Sequence, residues 1–227
     1  MTTALVTGGN RGIGLELCRQ LAERGQTVVA VCRRGSSELD ALSASQEGRL
    51  RVETGVDVTD DGSIRALAER LGSERLGLLV HNAGLLTPGD ALGEIDFDAA
   101  LEQFRVNALG PLRLTSALLA NLGRGSKLAI ITSRMGSIAD NTSGGRYGYR
   151  MSKAAVNMAG MSLTQDLRPR GVAVTILHPG FVRTGMTGGR GDVEADVAAR
   201  GLIARIDELT LESSGGFWHA NGQRLPW

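Results

Sequence analysis

Residues 7–14 read Thr-Gly-Gly-Asn-Arg-Gly-Ile-Gly, directly after a short apolar run at Ala4–Thr7. Apolar residues then recur at helical spacing, so the glycine-rich stretch joins a buried strand to a helix. Glycines there permit a tight turn, and N–H groups at the start of the helix attract a pyrophosphate. A turn that needs glycine only for its own geometry is the alternative, and the placement favours a nucleotide site. The predicted contacts are Gly8, Asn10, Arg11, Gly12, Ile13 and Gly14.

The rest of the chain alternates apolar strands with helices, which is typical of a parallel sheet buried on both faces. Strands are predicted at Ala4–Thr7, Thr27–Cys32, Leu50–Val52, Leu76–Val80, Lys127–Thr132, Val172–Leu177 and near Phe217–His219. Helices are predicted at about Leu15–Ala22, Leu39–Gln46, Asp60–Leu71, Phe97–Leu122 with a kink or break at Gly110-Pro111, Tyr149–Leu167 and Val193–Ile206. The fold class is therefore α/β: a single-domain Rossmann fold over residues 1–227, with a doubly wound, mostly parallel sheet of about seven strands and helices on both faces.

Composition excludes several classes of protein. Lys and Arg number 25 against 24 Asp and Glu, so no field of one sign points to nucleic acid or to an anionic membrane. We expect no nucleic-acid partner and no membrane span, because no apolar run reaches spanning length. Cys18 and Cys32 lie in apolar stretches and are expected to be reduced, in a cytoplasmic protein. The three histidines do not have the spacing of metal ligands, so no metal is expected.

A tyrosine and a lysine, Tyr149 and Lys153, stand four residues apart in a predicted helix. That spacing puts them on one helix face, where an ammonium lowers the pKa of a phenol and lets it exchange a proton with an alcohol or carbonyl. Tyr147 has no such lysine and is the weaker candidate. Ser133 ends the fifth predicted strand, while Thr132, Ser137 and Ser143 read better as turn or cap residues.

The second predicted strand bears on the choice of nicotinamide cofactor. NAD sites usually place an acid at its end, to accept hydrogen bonds from the ribose hydroxyls. Here the chain has Arg33 and Arg34 instead, with Arg11 in the glycine-rich stretch. Guanidinium groups suit a 2′-phosphate, although solvated loop charges are the alternative. NADP(H) is favoured, and NAD(H) is possible.

Together these residues resemble the short-chain dehydrogenase/reductase family, in the family's order and over almost the whole chain. Within it, the sequence is similar to the small carbonyl reductases that include sniffer-type reductases and the bacterial C-factor signalling protein. The matching elements are residues 7–14, Asp57-Val58, Asn82-Ala83-Gly84, Asn107, Ser133 with the run to Ile138, Tyr149 with Lys153, Pro179-Gly180 with Thr184, and the ending from Gly216 to Trp227.

The resemblance implies roles for individual residues. Tyr149 would be the general acid in reduction, and Lys153 would lower its pKa and hold the nicotinamide ribose. Ser133 would orient the substrate oxygen. Asn107 would interrupt its helix and hold a water for a proton relay, although it also reads as an ordinary buried helix residue. The implied cofactor contacts are Arg33, Asp57, Val58, Asn82, Ala83, Gly84, Tyr149, Lys153, Pro179, Gly180, Val182 and Thr184.

The function that follows is an oxidoreductase that transfers hydride between NADPH and an aldehyde or ketone, in a direction that the sequence leaves open. The alternative is a cofactor-binding signalling protein of the C-factor type. The glycine-rich stretch Thr184–Val193 and the polar stretch Ser137–Arg146 predict an open pocket with few specificity contacts. The resemblance implies a homodimer, with a tetramer possible, through the helices Phe97–Leu122 and Tyr149–Leu167.

Overall fold

A computed structural model describes residues 3–88 and 91–227. Its seven strands form one sheet of order β3-β2-β1-β4-β5-β6-β7, with every neighbouring pair parallel. The strands are β1 Thr3–Thr7, β2 Thr27–Val31, β3 Leu50–Glu53, β4 Leu76–His81, β5 Lys127–Ile131, β6 Ala173–His178 and β7 Gly216–His219. The predicted Rossmann sheet is confirmed, and it is parallel throughout these pairs.

Helices cover both faces of the sheet and bury two separate apolar cores against it. They are α1 Gly12–Glu23, α2 Ser37–Ser45, α3 Asp61–Leu71, α4 Phe97–Phe104, α5 Gly110–Ala117, α6 Tyr147–Leu167 and α7 Ala195–Glu208. One core holds buried side chains of α1, α2 and α7, and the other holds those of α3, α5 and α6. Cys18 and Cys32 are free and buried in the first core, which fits reduced thiols.

The predicted helix Phe97–Leu122 is wrong in detail. A π-helical turn at Arg105–Leu109 separates α4 from α5, and a short 3-10 turn at Leu119–Asn121 follows α5. Pro111 has no N–H to donate to the carbonyl four residues earlier, which is that of Asn107. The Gly110 N–H instead reaches the Arg105 carbonyl, five residues back, so the break falls just before the expected Gly110-Pro111.

The helix that carries the tyrosine begins at Tyr147, two residues earlier than predicted. Gly148 lies in its first turn, where a Cβ would be 2.7 Å from the Ala100 Cα, so the absence of a side chain lets α6 pack directly on α4. The final helix, α7, is displaced by two residues from the predicted Val193–Ile206. At the C-terminus, the Phe217 and Trp227 rings stack with their centroids 5.2 Å apart.

The strand order places a crossover between β1 and β4. From β1 the chain winds outward through β2 to β3, and then returns to the far side of β1 through β4. At such a switch point the connections diverge and leave a crevice at the carboxyl ends of the strands. The segments after β1, β4, β5 and β6 all open onto this edge, and they carry the residues that the sequence singles out.

Candidate active site

The glycine-rich stretch forms a tight turn between β1 and α1. Gly8 and Gly12 have left-handed backbone angles, with φ of 68° and 53°. A Cβ on Gly14 would lie 2.1 Å from the Gly8 carbonyl oxygen, so no side chain fits there. Neither an acidic side chain in the first turn nor a side-chain cap at Arg11 satisfies the first N–H groups of α1. Those groups are therefore available to an anion.

Asn82, at the end of β4, holds this turn from below. Its side-chain N–H donates to the Thr7 carbonyl at 2.9 Å, and the Thr7 hydroxyl accepts from the backbone of Asn82 and Ala83 at 3.0 Å each. The segment Asn82–Gly84, predicted to contact the adenosine side of the cofactor, therefore also supports the glycine turn. The amide of Asn82 braces the loop, and Gly84 lies close to the catalytic residues, since a Cβ there would be 3.4 Å from Asn107 Oδ1.

Arg33 and Asp57 meet at the outer end of the same edge. A guanidinium nitrogen of Arg33 lies 3.6 Å from a carboxylate oxygen of Asp57, and the Arg33 side chain is 70% exposed. Burial alone would raise the pKa of Asp57, but hydrogen bonds from Thr59 and the Arg33 charge together lower it. Val58 packs against Gly110 at the start of α5. A cation and an anion therefore stand side by side where the adenosine end of a dinucleotide would lie.

Asn107 lies inside the π-helical turn, and its side chain is buried and fully engaged. Its oxygen accepts from the Leu85 N–H at 2.7 Å, and its nitrogen donates to the Leu85 carbonyl at 2.8 Å and to the Ser152 hydroxyl at 3.0 Å. Ser152 in turn donates to the Tyr149 carbonyl at 2.8 Å. The amide therefore ties the segment after β4 to α6. Pro111, four residues on, has no N–H to donate to the Asn107 backbone carbonyl.

Ser133 and Tyr149 are the predicted reacting pair. Ser133 follows β5, is buried, and accepts a hydrogen bond from the Met135 N–H at 3.2 Å. Its side chain lies close enough to the Tyr149 phenol to lower the pKa of that phenol. This arrangement puts two hydroxyl groups beside one point, where a substrate oxygen can contact both.

Lys153 is buried behind Tyr149. Its ammonium lies 5.7 Å from the centroid of the Tyr149 ring and donates to the Ile131 carbonyl at 3.1 Å. Burial lowers the pKa of Lys153 to about 8. The lysine is thus a buried acid that is still protonated at neutral pH but releases its proton more readily than an exposed lysine.

The pKa of Tyr149 differs from the sequence-based prediction. Burial raises it to about 12, and the Ser133 hydrogen bond and the Arg146 charge lower it only in part. The predicted lowering by Lys153 is wrong for the protein alone, because desolvation of the phenolate dominates. With this pKa, the Tyr149 phenol stays protonated at neutral pH and can give up its proton only to a strong base.

A cleft of about 1020 Å³ opens over this pair. Of the predicted site residues, it is lined by Ile13, Ser133, Tyr149, Pro179, Gly180, Val182 and Thr184. The remaining predicted residues lie outside its lining, namely Gly8, Asn10, Arg11, Gly12, Gly14, Arg33, Asp57, Val58, Asn82, Ala83, Gly84, Asn107 and Lys153. Most of these surround the glycine turn at one end, whereas Asn107 and Lys153 support the cleft from beneath.

The cleft also contains residues that sequence reasoning did not assign. His178 lines it and makes an edge contact with His219 at 4.9 Å, and burial lowers the pKa of His178 to about 3, so the ring is neutral. Ser152 was missed because its role is a contact with Asn107, 45 residues away. The sequence analysis treated Arg146 only as the end of the polar stretch Ser137–Arg146, and Arg150 only as a residue between Tyr149 and Lys153. A cationic residue close to the tyrosine could have indicated a role in the site.

The stretch after β6 is more ordered than its glycines suggest. Thr184 and Thr187 cap each other around a 3-10 turn at Gly185–Thr187. At the base, Val182 pairs with Val193, and the Arg183 N–H donates to the Val193 carbonyl at 2.9 Å. The segment is therefore a short loop whose two ends are hydrogen bonded to each other, and it forms one wall of the cleft.

Residues 2–195 match the family model for short chain dehydrogenase. The chain belongs to this family. Among its relatives, the 1-hydroxy-2-glutathionyl-2-methyl-3-butene dehydrogenase of Rhodococcus sp. (strain AD45) is 43% identical, with all of both chains covered. C-signal of Myxococcus xanthus is 45% identical over 72% of this chain and all of its own length. The family resemblance predicted from the motifs is confirmed.

Solved structures of short-chain dehydrogenases superpose on the full chain. The NADPH-bound carbonyl reductase from chicken fatty liver is 31% identical with a TM-score of 0.90, and it covers 100% of this chain and 99% of its own. The carbonyl reductase Sniffer of D. melanogaster is another similar structure. The closer likeness to small carbonyl reductases and to the C-factor protein is confirmed with these relatives.

Between residues 3 and 88 and between 91 and 227, no helix is long and apolar enough to cross a membrane. In the same ranges, no group of three or more His, Cys, Asp or Glu side chains is arranged to hold a metal ion.

Proposed function

We propose that this protein is an NADP(H)-dependent reductase of aldehydes or ketones, with the whole chain 1–227 acting as one catalytic domain. The observation that carries the proposal is the meeting of the Tyr149 phenol and the Ser133 side chain in the cleft that Ile13 and Thr184 continue toward the glycine turn. Chicken fatty liver carbonyl reductase, whose structure was solved with NADPH bound, supports both the cofactor and the substrate class.

The residues present fit a nicotinamide dinucleotide phosphate. The turn at Gly8, Gly12 and Gly14 leaves room that a Cβ would fill, and the uncapped N-terminus of α1 suits a pyrophosphate. The exposed guanidinium of Arg33 suits a 2′-phosphate, and Asp57 beside it keeps that side chain in place. Asp57 can also accept a hydrogen bond from the adenosine. NADP(H) is therefore proposed over NAD(H).

In the proposed reduction, the cofactor supplies a hydride to the carbonyl carbon. Ser133 donates a hydrogen bond to the carbonyl oxygen and holds it beside the Tyr149 hydroxyl. As negative charge develops on that oxygen, Tyr149 donates its proton and the alcohol forms. The raised pKa of Tyr149 suits this step, because the phenol stays protonated until the alkoxide, a stronger base, is present.

Two buried residues are proposed to restore that proton. Lys153, with its pKa lowered to about 8, stabilises the tyrosinate and returns a proton to it. The Asn107 carbonyl, to which Pro111 cannot donate, holds the water that connects Lys153 to solvent. The side chain of Asn107 acts indirectly, because its bonds to Leu85 and Ser152 fix the position of α6.

The test is oxidation of NADPH with a panel of aldehydes, ketones and quinones, for the protein and its Tyr149→Phe variant. We expect turnover to fall by about 10²–10⁴-fold in Tyr149→Phe, because the general acid is removed, while the affinity for NADPH is retained. Tyr147→Phe is the matched control and should keep its activity, because Tyr147 does not line the cleft. Turnover retained in Tyr149→Phe would contradict the proposal.

The signalling alternative rests on the relative C-signal, which matches 72% of this chain. It is not favoured, because a signalling protein does not need Asn107, Ser133, Tyr149 and Lys153 to stay in contact. Tight NADPH binding without turnover of any compound in the panel would move weight to that alternative.

A homodimer in the cytoplasm is proposed as well. Phe97 and Leu101 of α4 are 77% and 56% exposed, and Met151 and Met158 of α6 are 57% and 68% exposed. The two helices pack together, and we propose that a second copy covers these exposed side chains. Light scattering that gives the monomer mass at all working concentrations would exclude the dimer, while four times that mass would indicate a tetramer.

A further inference from the structure

Four arginines and one aspartate are the charged residues of the cleft. Arg134 is paired with Asp140, so its charge is neutralised. The other three, Arg146, Arg150 and Arg190, have no carboxylate partner among the residues that the structure describes. The substrate end of the cleft therefore carries a net positive charge before any ligand enters.

Arg150 and Arg146 use their charges differently. The Arg150 guanidinium donates to the carbonyls of Gly144 and Gly145 at 3.2 and 3.1 Å, and to the Ser143 hydroxyl at 2.7 Å. Arg150 therefore ties the loop before α6 to the helix itself. The loop ends at Arg146, which has a left-handed backbone with φ of 50°.

Arg146 itself makes no side-chain hydrogen bond or ion pair within residues 3–88 and 91–227, and it is only half-buried. It lines the cleft one helical turn before Tyr149, and its charge acts on the Tyr149 phenol. A guanidinium that lines a cleft and has no anion beside it can bind one. A single guanidinium matches the single charge and planar fork of a carboxylate.

We propose that Arg146 binds a carboxylate of the substrate, so that the enzyme prefers carbonyl compounds that carry an acid group. Arg150 is the positioning residue that holds the loop carrying Arg146. The proposal rests on the proposed reductase function, and it adds a substrate class to it. The polar stretch Ser137–Arg146 then contributes a specificity contact that its composition did not suggest.

The test compares two aldehydes of similar shape, para-carboxybenzaldehyde and para-methylbenzaldehyde, by their ratio of kcat/KM. Any effect of Arg146 on the acidity of Tyr149 is common to both aldehydes and cancels in that ratio. We expect the protein to prefer the carboxylate by about 10- to 100-fold, the range of one charge-assisted hydrogen bond. Arg146→Gln should lose that preference, Arg146→Glu should reverse it, and Arg146→Lys should keep part of it. Added salt should weaken it.

Arg190→Gln is the matched control, because Arg190 also lines the cleft, on the segment after β6, and its guanidinium donates to the Thr187 carbonyl. It should leave the ratio within about twofold of the parent. A ratio unchanged in Arg146→Gln, or a preference lost only in Arg190→Gln, would overturn the assignment. Arg150→Lys should reduce the preference by loosening the loop, and its kcat for the neutral aldehyde should change less than its KM for the acid.

A binding measurement separates this proposal from the reductase function. Calorimetric titration of para-carboxybenzaldehyde into NADPH-loaded Tyr149→Phe protein reports affinity without turnover. Binding that weakens by about 10-fold or more when Arg146→Gln is added supports the carboxylate site, whether or not Tyr149 is the acid. Equal binding in the two proteins would refute the site even if the reductase assay succeeds.

Discussion

The two ends of the cleft differ in what shapes them, which is the backbone at the cofactor end and side-chain contacts at the substrate end. At the cofactor end, the turn after β1 is shaped by backbone: Gly8 and Gly12 have left-handed angles, and Gly14 has no space for a Cβ. At the substrate end, side chains hold the loops, with Arg150 clasping the loop before α6 and Thr187 capping the turn after β6. A backbone-built site tolerates few residues and fits one ligand, whereas side-chain contacts can change without altering the fold. The comparison indicates that the cofactor is fixed by the fold and the substrate by a few exchangeable residues.

Gly14→Ala is the strongest way to break the cofactor end. In an open helix, alanine is more favourable than glycine by about 1 kcal/mol, but here its Cβ would lie 2.1 Å from the Gly8 carbonyl oxygen. We expect the turn to shift, the free energy of unfolding to fall by about 1–3 kcal/mol, and NADPH affinity to fall by more than about 100-fold, since a displacement of about 1 Å can cost that much. Thermal unfolding and fluorescence titration with NADPH would measure both.

Gly185→Ala is the matched control at the substrate end. A Cβ on Gly185 would meet no atom within 4 Å, and its φ is not left-handed. We expect its stability and its NADPH affinity to stay close to those of the parent. Equal effects of Gly14→Ala and Gly185→Ala would contradict the distinction between a backbone-built end and a side-chain-built end.

The same distinction explains what could be read from the sequence. Glycine spacing, apolar strands and the pair Tyr149 and Lys153 are local signals, so they predicted the sheet, which is confirmed, and they indicated the candidate site residues. The bond from Asn107 to Ser152 spans 45 residues, and no spacing rule indicates it. The pKa of Tyr149 was predicted with the wrong sign, because a lysine nearby in sequence is visible and the burial of a phenol is not. Arg146 was overlooked because its importance depends on the absence of a carboxylate partner in the folded structure, and the sequence does not show which side chains lie near it.

Lys153 lies between the two ends of the cleft. The pH dependence of the rate tests whether Lys153 returns a proton to Tyr149 during turnover. Its ammonium is present below a pKa of about 8 and is lost as the pH rises through that value. We therefore expect kcat/KM for carbonyl reduction to fall at alkaline pH with an apparent pKa near 8, and alcohol oxidation not to share that fall. Lys153→Met should lower the rate by about 100-fold, in the range of general acid–base effects, and abolish the alkaline decline.

Lys127→Met is the control for that pH profile, because Lys127 is the other lysine of the chain and its ammonium donates to the carbonyls of Ile206 and Asp207. This variant should keep the alkaline decline even if its stability falls. A decline that persists in Lys153→Met would assign it to a different group and remove Lys153 from the proton path.

Arg33→Gln gives the smallest expected effect. It sharpens the comparison between the two ends of the cleft, because Arg33 is a side chain proposed to bind the cofactor at the end that backbone otherwise shapes. Its guanidinium is 70% exposed, so its bond to a 2′-phosphate is partly screened, and we expect NADPH affinity to fall by about 10-fold. Affinity for NADH should stay unchanged, because NADH has no 2′-phosphate. The neighbouring Arg34 does not pair with Asp57, so Arg34→Gln should lose less NADPH affinity than Arg33→Gln. If both cofactors lose affinity equally, Arg33 supports the fold of this edge through Asp57, and the choice of cofactor lies in the glycine turn with Arg11.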